Sequence, residues 1–161
     1  MQLWPAKSEM FLSPHGQHEI IRRMELAVKP VKFQSFKNRS LGDIEAEAFL
    51  FNGKVGKNGF SISQVVNRPN NFLPLIKGKI EGGESGSLVH LEYSLFPSVK
   101  YFLVFWIILM VLFSIISFAQ RDDTLTVVFP IIILVASYAL IISRFNDAYQ
   151  KSRKELMRLI G

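Results

Sequence analysis

Two long apolar runs dominate the second half of the chain. Residues 101–119 and residues 125–143 each contain nineteen positions without a charged side chain. At ~1.5 Å per residue, a helix of that length covers about 28 Å, close to the roughly 30 Å hydrocarbon thickness of a bilayer. The pattern predicts two membrane-spanning helices. The five residues between them, 120–124, predict a tight antiparallel hairpin.

Alternating apolar and polar positions before the first run predict β-strands. The alternation is clearest near the run, where four apolar side chains share one strand face: Val89, Leu91, Tyr93 and Leu95. Turn residues separate four such segments, at about 48–55, 60–66, 72–80 and 87–95. Asn58 followed by Gly59 is a strong hairpin signal, because both residues tolerate a positive φ. Successive strands joined by short turns predict an antiparallel β-meander.

A helix is predicted ahead of these strands, from Ser13 to about Val28. Serine is a favoured helix cap, and the proline that follows it suits the first helical position. Ile20 and Met24 then recur on one helical face, and a short strand at 9–12 precedes the helix. The fold class is therefore α+β. An N-terminal helix packs on the β-meander, which is followed by a two-helix transmembrane hairpin and an amphipathic C-terminal helix.

Three parts follow from these patterns: an α+β domain at 1–97, the transmembrane hairpin at 98–143 and a tail helix at 144–161. The tail places its less polar residues on one stripe: Phe145, Ala148, Tyr149, Ser152, Leu156 and Leu159. Such a helix can lie on the bilayer, pack on the protein's own sheet or bind a partner. The sequence leaves these three alternatives open.

The distribution of charge predicts the orientation of the hairpin. The chain has 161 residues and a formal net charge of +6, with 19 Lys and Arg against 13 Asp and Glu. The turn between the apolar runs carries one basic residue, Arg121, whereas Lys100, Arg144 and the basic tail lie at the opposite ends of the spans. Basic residues near the spans favour the cytoplasmic side. We therefore expect both termini in the cytoplasm.

Several short motifs in the meander resemble a family of proteins. They are Phe60-Ser61-Ile62-Ser63, Asn67, Asn70-Asn71-Phe72-Leu73-Pro74 and Gly78-Lys79-Ile80. With the strand, proline and hairpin that follow, this arrangement resembles small uncharacterised bacterial membrane proteins over residues 49–143. The resemblance implies the same layout in a bacterial inner or plasma membrane, and no particular activity. Where that family often has a basic residue, this chain has Gln64.

The amino-acid composition gives little support for a catalytic role. The chain has no cysteine, which excludes a disulfide framework, a thiolate zinc site and a cysteine nucleophile. His15, His18 and His90 lack further candidate ligands, and the acid pairs 45/47 and 122/123 lack a cleft that would separate their pKa values. The apolar runs contain no Asp, Glu, Lys, Arg or His, which argues against transport. We expect no catalytic residue, no metal site, no cofactor and no enzymatic activity.

Two segments are candidates for binding. The first interleaves cations and aromatic rings that suit an anionic leaflet: Lys32, Phe33, Phe36, Lys37 and Arg39. A solvated linker and a nucleic acid or other anionic partner are the alternatives, although no nucleic-acid motif is present. The second is the loop 67–74, where donors for a protein partner are Arg68, Asn70 and Asn71. The same residue types also form ordinary turns.

Together these features predict a non-catalytic integral membrane protein that acts as a membrane-anchored interaction or accessory subunit. Its expected contacts are membrane lipid and either a protein partner or a second copy of the chain. The alternative is a lipid- or anionic-ligand-binding module at the cytoplasmic leaflet. Nucleic acid fits less well, because residues 1–100 carry a net charge of only +4 (13 Lys and Arg against 9 Asp and Glu) and contain no recognised nucleic-acid motif.

Overall fold

The computed structural model describes residues 4–30, 49–66, 72–83, 86–120 and 123–161. These residues form a mixed α+β structure, which confirms the predicted fold class. In chain order the elements are β1 (Ala6–Ser13), α1 (Gln17–Ala27), β2 (Val28–Pro30), β3 (Phe51–Gly56), β4 (Gly59–Gln64), β5 (Pro74–Gly83), β6 (Gly86–Leu95), α2 (Pro97–Ala119) and α3 (Thr124–Ile160).

One sheet contains all the described strands, in the order β1-β6-β5-β4-β3-β2. Strands β3 to β6 form the predicted antiparallel meander. The other two strands extend it at opposite edges. β1 pairs antiparallel with β6 and places Ala6 opposite Ser94, whereas β2 pairs parallel with β3. Because α1 links β1 to β2, it connects the two edges of the sheet.

The start of α1 differs from the sequence prediction. Ser13 is the last residue of β1 and not the helix cap, which is Gly16. The Ser13 hydroxyl donates a hydrogen bond of 2.7 Å to the backbone carbonyl of Ile160. It also accepts one of 3.2 Å from the backbone N–H of His15. A long-range contact with the end of α3 therefore holds the side chain that the local pattern assigned to helix capping.

The hydrophobic core lies on one face of the sheet, beneath α1 and the C-terminal half of α3. Its fully buried side chains include Ile20, Met24, Phe51, Ile62, Ile76, Val89, Leu91, Tyr93, Leu95, Phe145, Leu156 and Ile160. Of the alternatives for the tail, the structure thus has packing on the protein's own sheet. Leu159 is partly buried at the margin of this core. Residues from 1–97 and from 144–161 therefore share one core.

Helix α2 and the first part of α3 are long and apolar enough to cross a membrane. Only 11% of the most apolar window of each helix is buried, whereas a core helix of a soluble protein is mostly buried. α3 continues as one helix of 37 residues, or about 55 Å at 1.5 Å per residue. The Asp123 carboxylate caps its start by accepting a 3.1 Å hydrogen bond from the Leu125 N–H.

Both apolar helices leave the sheet at the same end. Only Phe96 separates β6 from α2. The C-terminus of α3 reaches the opposite end of the sheet, where Ile160 contacts the last residue of β1. α3 therefore runs along the strands, from the end of the sheet that faces the hairpin to the far end.

Candidate functional site

The binding residues predicted from the sequence lie outside the part of the chain that the structure describes. They are Lys32, Phe33, Phe36, Lys37, Arg39, Arg68, Asn70 and Asn71. The described residues instead bring together three other features. These are a polar cluster around Glu9, an apolar groove beside Trp4, and the face of the sheet that α1 and α3 do not cover.

The polar cluster joins the edge strand β1 to β6 and α3. The hydroxyl of Tyr93 donates a 2.9 Å hydrogen bond to Oε1 of Glu9. Nε of Arg153 donates one of 2.7 Å to Oε2 of the same carboxylate. Glu9 lies opposite Leu91 in the ladder, so Tyr93 is its diagonal neighbour on the same face. One carboxylate thus connects three elements that are distant in the sequence.

Aromatic contacts extend this cluster along α3. The rings of Tyr93 and Tyr149 meet edge to face, with centroids 4.8 Å apart and an interplanar angle of 89°. Nζ of Lys7 lies 4.7 Å from the centroid of the Tyr149 ring, which is within the range of a cation–π interaction. Both inward-facing charged residues of β1 therefore contact α3.

The electrostatics of the cluster keep its members in fixed protonation states. Burial, reinforced by the hydrogen bond to Glu9, raises the pKa of Tyr93 far above its usual value. Burial also raises the pKa of Tyr149. The hydrogen bond to Glu9 raises the pKa of Arg153. The phenols therefore stay neutral and the guanidinium stays charged near neutral pH, which favours a structural clamp between helix and sheet.

Sequence reasoning missed this cluster, although one local signal was available. Lys7 and Glu9 lie on the same strand face as Phe11, and charged residues on a buried face are usually paired. The partner Arg153 lies 144 positions away. No spacing rule links residues so far apart, so the signal indicates a partner without naming it.

An apolar groove lies between α2 and α3, at the end of the hairpin nearest the sheet. Its volume is about 300 Å³, and its lining is almost entirely carbon. The walls include Trp4, Leu103, Trp106, Leu134, Tyr138 and Ile141. Trp4 comes from the segment just before β1, so the groove joins the sheet domain to the helices.

The uncovered face of the sheet is polar in its centre. Register places Lys54 and Lys77 on either side of Ser61 in neighbouring strands. Lys79 forms an ion pair with Glu81 on the same face. Glu92 lies directly opposite Lys77 on this face. The exposed charges, three lysines against two glutamates, therefore leave only one net positive charge here.

The same face carries a small apolar patch at the β1 edge, formed by Met10, Leu12 and Leu88. Leu12 is 78% exposed and lies directly opposite Leu88, which is 40% exposed. Met10 lies two residues before Leu12 on the same strand face and is 68% exposed. These three neighbouring exposed apolar side chains make this edge a candidate contact surface.

Within the described ranges, no three His, Asp or Glu side chains are grouped closely enough to hold a metal ion. His90 lies on the uncovered face, opposite Met10. A 2.9 Å hydrogen bond joins its Nε2 to the hydroxyl of Ser8.

The fold and these surfaces define a class of protein: a six-stranded α+β sheet domain followed by two helices long and apolar enough to cross a membrane. This is the layout that the sequence resemblance implied. Comparisons with protein-family models, with curated proteins and with solved structures find no match for the chain.

Proposed function

We propose that the protein is a non-catalytic integral membrane protein that acts as a membrane-anchored interaction or accessory subunit. The observation that carries this proposal is the continuity of α3, whose first part is apolar and exposed and whose last part lies in the core of the sheet domain. A continuous helix holds a domain at a fixed height and angle above the bilayer. Such fixation suits a protein that presents a surface to a partner in the same membrane.

The proposed location is a bacterial inner or plasma membrane, with the sheet domain and both termini in the cytoplasm. Lys100 and Arg144 support this orientation because they lie at the ends of the apolar helices nearest the sheet. Lys151 and Lys154 add positive charge on the same side.

The proposed partner surface is the apolar patch of Met10, Leu12 and Leu88. β1 runs away from the hairpin, so Leu12 lies six residues beyond Ala6 at the hairpin end. At ~3.3 Å per strand residue, the distance is about 20 Å, beyond the headgroup layer of a bilayer. The patch is thus out of reach of lipid, which favours a protein as its contact.

Strand pairing between two copies does not suit this edge. Two β1 strands pairing antiparallel would be related by a two-fold axis perpendicular to the sheet. That rotation would reverse α3, because α3 lies along the sheet, and the two hairpins would then point in opposite directions. Both copies could not insert in one bilayer with the same orientation. Pairing of two copies through the β1 edge is thereby excluded. For the patch, which lies on the face of the sheet, we propose a different protein as the occupant, and a homodimer that is lost with Leu12→Lys would contradict that choice.

Insertion and orientation can be tested first, because the chain has no cysteine. Gln120→Cys lies at the end of α2, and Lys154→Cys lies on the exposed side of the tail. A membrane-impermeant maleimide should label Gln120→Cys in intact spheroplasts, and Lys154→Cys only after permeabilisation. The opposite labelling pattern rejects the orientation, and extraction of the chain by alkaline carbonate rejects integration.

Partner binding can then be tested by native mass spectrometry of the tagged full chain, extracted from its own membrane in mild detergent. We expect a discrete second polypeptide with the wild type and its loss with Leu12→Lys. Leu26→Lys is the matched control, because Leu26 is also strongly exposed, at 73%, but lies on α1. A bare wild-type chain would reject the subunit proposal. Equal capture by both variants would reject the patch.

A lipid- or anionic-ligand-binding module at the cytoplasmic leaflet is the second candidate, and the groove beside Trp4 favours it. The segment with Lys32, Lys37 and Arg39 would add an anionic-lipid contact at the same leaflet. Replacing these three cations by glutamine in the full chain should lower the amount of anionic lipid that co-purifies. Unchanged lipid content would reject a role for the segment.

A further inference from the structure

We propose that the groove between α2 and α3 holds one acyl chain of an anionic phospholipid, whose phosphate is bound by Lys100 and Arg144. This inference rests on the proposed membrane insertion of the two helices. It adds a defined lipid site to a protein whose main proposed contact is another polypeptide.

The lining of the groove determines the chemistry of its occupant. Leu103 and Trp106 on α2 face Leu134 and Ile141 on α3, and all four belong to the helices that are apolar enough to cross a membrane. A polar ligand would lose its hydrogen bonds to water without replacement there. A hydrocarbon chain keeps van der Waals contact with the walls, and in a bilayer it is also the most abundant molecule at this depth.

Trp4 distinguishes the groove from the rest of the exposed apolar surface of α2 and α3. Its half-buried side chain lines the groove from the sheet side, and tryptophan prefers the boundary between hydrocarbon and headgroups. Trp4 leads directly into β1, which Glu9 fixes to α3 through Arg153. The groove therefore has a wall from the sheet domain as well as two from the helices.

Charge indicates where the headgroup lies. Lys100 is three residues before Leu103, and Arg144 is three residues after Ile141. On a helix this spacing puts each cation one turn closer to the sheet, on the flank of the groove. In the described part of the chain neither cation forms an ion pair. Two cations one helical turn beyond the lining of an apolar groove match a phosphodiester, to which arginine can donate two parallel hydrogen bonds.

The test uses the delipidated full chain in mild detergent, titrated with phosphatidylglycerol or phosphatidylcholine of identical acyl chains. Native mass spectrometry counts the lipids that each chain retains. We expect one phosphatidylglycerol per chain. Each basic residue near an anionic lipid contributes roughly fivefold in binding, so the two cations predict a preference of about 25-fold over phosphatidylcholine.

Two kinds of variant separate the headgroup from the acyl chain. Lys100→Gln with Arg144→Gln should remove the preference and leave weak binding of both lipids. Lys151→Gln with Lys154→Gln, which removes equal charge from the exposed side of the tail, should preserve it. Leu134→Trp fills the groove and should reduce retention of both lipids. The charge variants keep the test decisive even where the groove variant folds poorly.

Several results would overturn the inference. Equal retention of the two lipids by the wild type would reject the headgroup site, and a preference that survives the double variant would reject Lys100 and Arg144. Displacement of the lipid by millimolar inorganic phosphate would show that the site binds phosphate without the chain. Leu12→Lys should leave lipid retention unchanged, so this inference and the partner proposal fail separately.

Discussion

The burial of Leu156 allows a direct test of the packing of the tail helix on the sheet. Its side chain is 0% exposed and belongs to the core beneath α3. Leu156→Ala removes three buried carbon atoms, which costs about 2.4 kcal/mol at ~0.8 kcal/mol each, and the cavity left behind raises the total to about 3 to 5 kcal/mol. That is a large part of the 5 to 15 kcal/mol that stabilises a typical domain.

Pulse proteolysis of the full chain in mild detergent, across a urea series, measures this loss for the sheet domain. With a urea dependence of ~2 kcal/mol per molar, the unfolding midpoint should fall by about 1.5 to 2.5 M. Leu26→Ala is the matched control: it makes the same chemical change in another helix, at a side chain that is 73% exposed. We expect its midpoint to move by less than about 0.3 M.

Equal midpoints for Leu156→Ala and Leu26→Ala would refute the reasoning. Such a result would mean that the tail is not part of the cooperative unit. A large loss in Leu156→Ala that also releases the tail to protease before the sheet unfolds would place the weak point at the contact between α3 and β5.

The remaining predictions concern the sheet and the Glu9 cluster. Gly78→Ala should cost about 1 to 3 kcal/mol, because a Cβ there would overlap the ring of Phe60, and a chemical-denaturation midpoint measures it. Arg153→Met should cost about 1 to 2 kcal/mol, because it leaves the Glu9 carboxylate with one donor fewer in a partly exposed site. The folded-state pKa of Tyr93 is raised above its usual 10.0, so folded chains keep a proton that unfolded chains lose. Stability should therefore be full below about pH 10 and fall above it, by up to ~1.4 kcal/mol per pH unit, and Tyr93→Phe should lessen that slope.

Each of these predictions has a control and a contradicting result. Gly56→Ala should be tolerated, since a Cβ there meets only an ordinary contact, and equal losses at the two glycines would contradict the overlap. Lys154→Met removes a neighbouring exposed cation, and a loss as large as that in Arg153→Met would exclude a specific pair. An unchanged alkaline slope in Tyr93→Phe would show that other groups set it.

The local spacing of apolar residues was enough to predict most of the secondary structure. Apolar residues recur every 2 residues in β6 and about every 3.6 residues in the tail helix. Both periods can be read from neighbouring positions in the sequence. The predicted inward face of β6, including Val89 and Leu91, is the buried face in the structure. The tail residues Phe145 and Leu156 are likewise buried.

These local patterns could not predict which distant strands pair with each other. β1 pairs with β6 across more than seventy intervening residues, and β2 is a three-residue strand that includes Pro30. Neither partner is encoded by local spacing. The start of α1 shows the same limit, because the hydroxyl of Ser13 is taken by a carbonyl 147 positions away.

The candidate groove also combines separate parts of the chain. Trp4 precedes β1, whereas Trp106 lies on α2 and Tyr138 on α3, and only the fold brings them together. The general preference of such side chains for the membrane boundary was the one available signal. The binding segments chosen from sequence, around Phe33 and Asn70, remain predictions because they lie beyond the ranges described by the structure.

The position of the hairpin within the sheet domain has a consequence for biosynthesis. Residues 1–95 leave the ribosome with every described strand but without the helix that closes the core, since residues 144–160 are made after both spans. With the membrane insertion proposed above, the nascent sheet keeps an apolar face uncovered until residues 144–160 have followed the hairpin. Under the same proposal, completion of the domain would report integration of the hairpin, and a chain stalled before that step would expose an apolar surface of the kind that chaperones and quality-control proteases recognise.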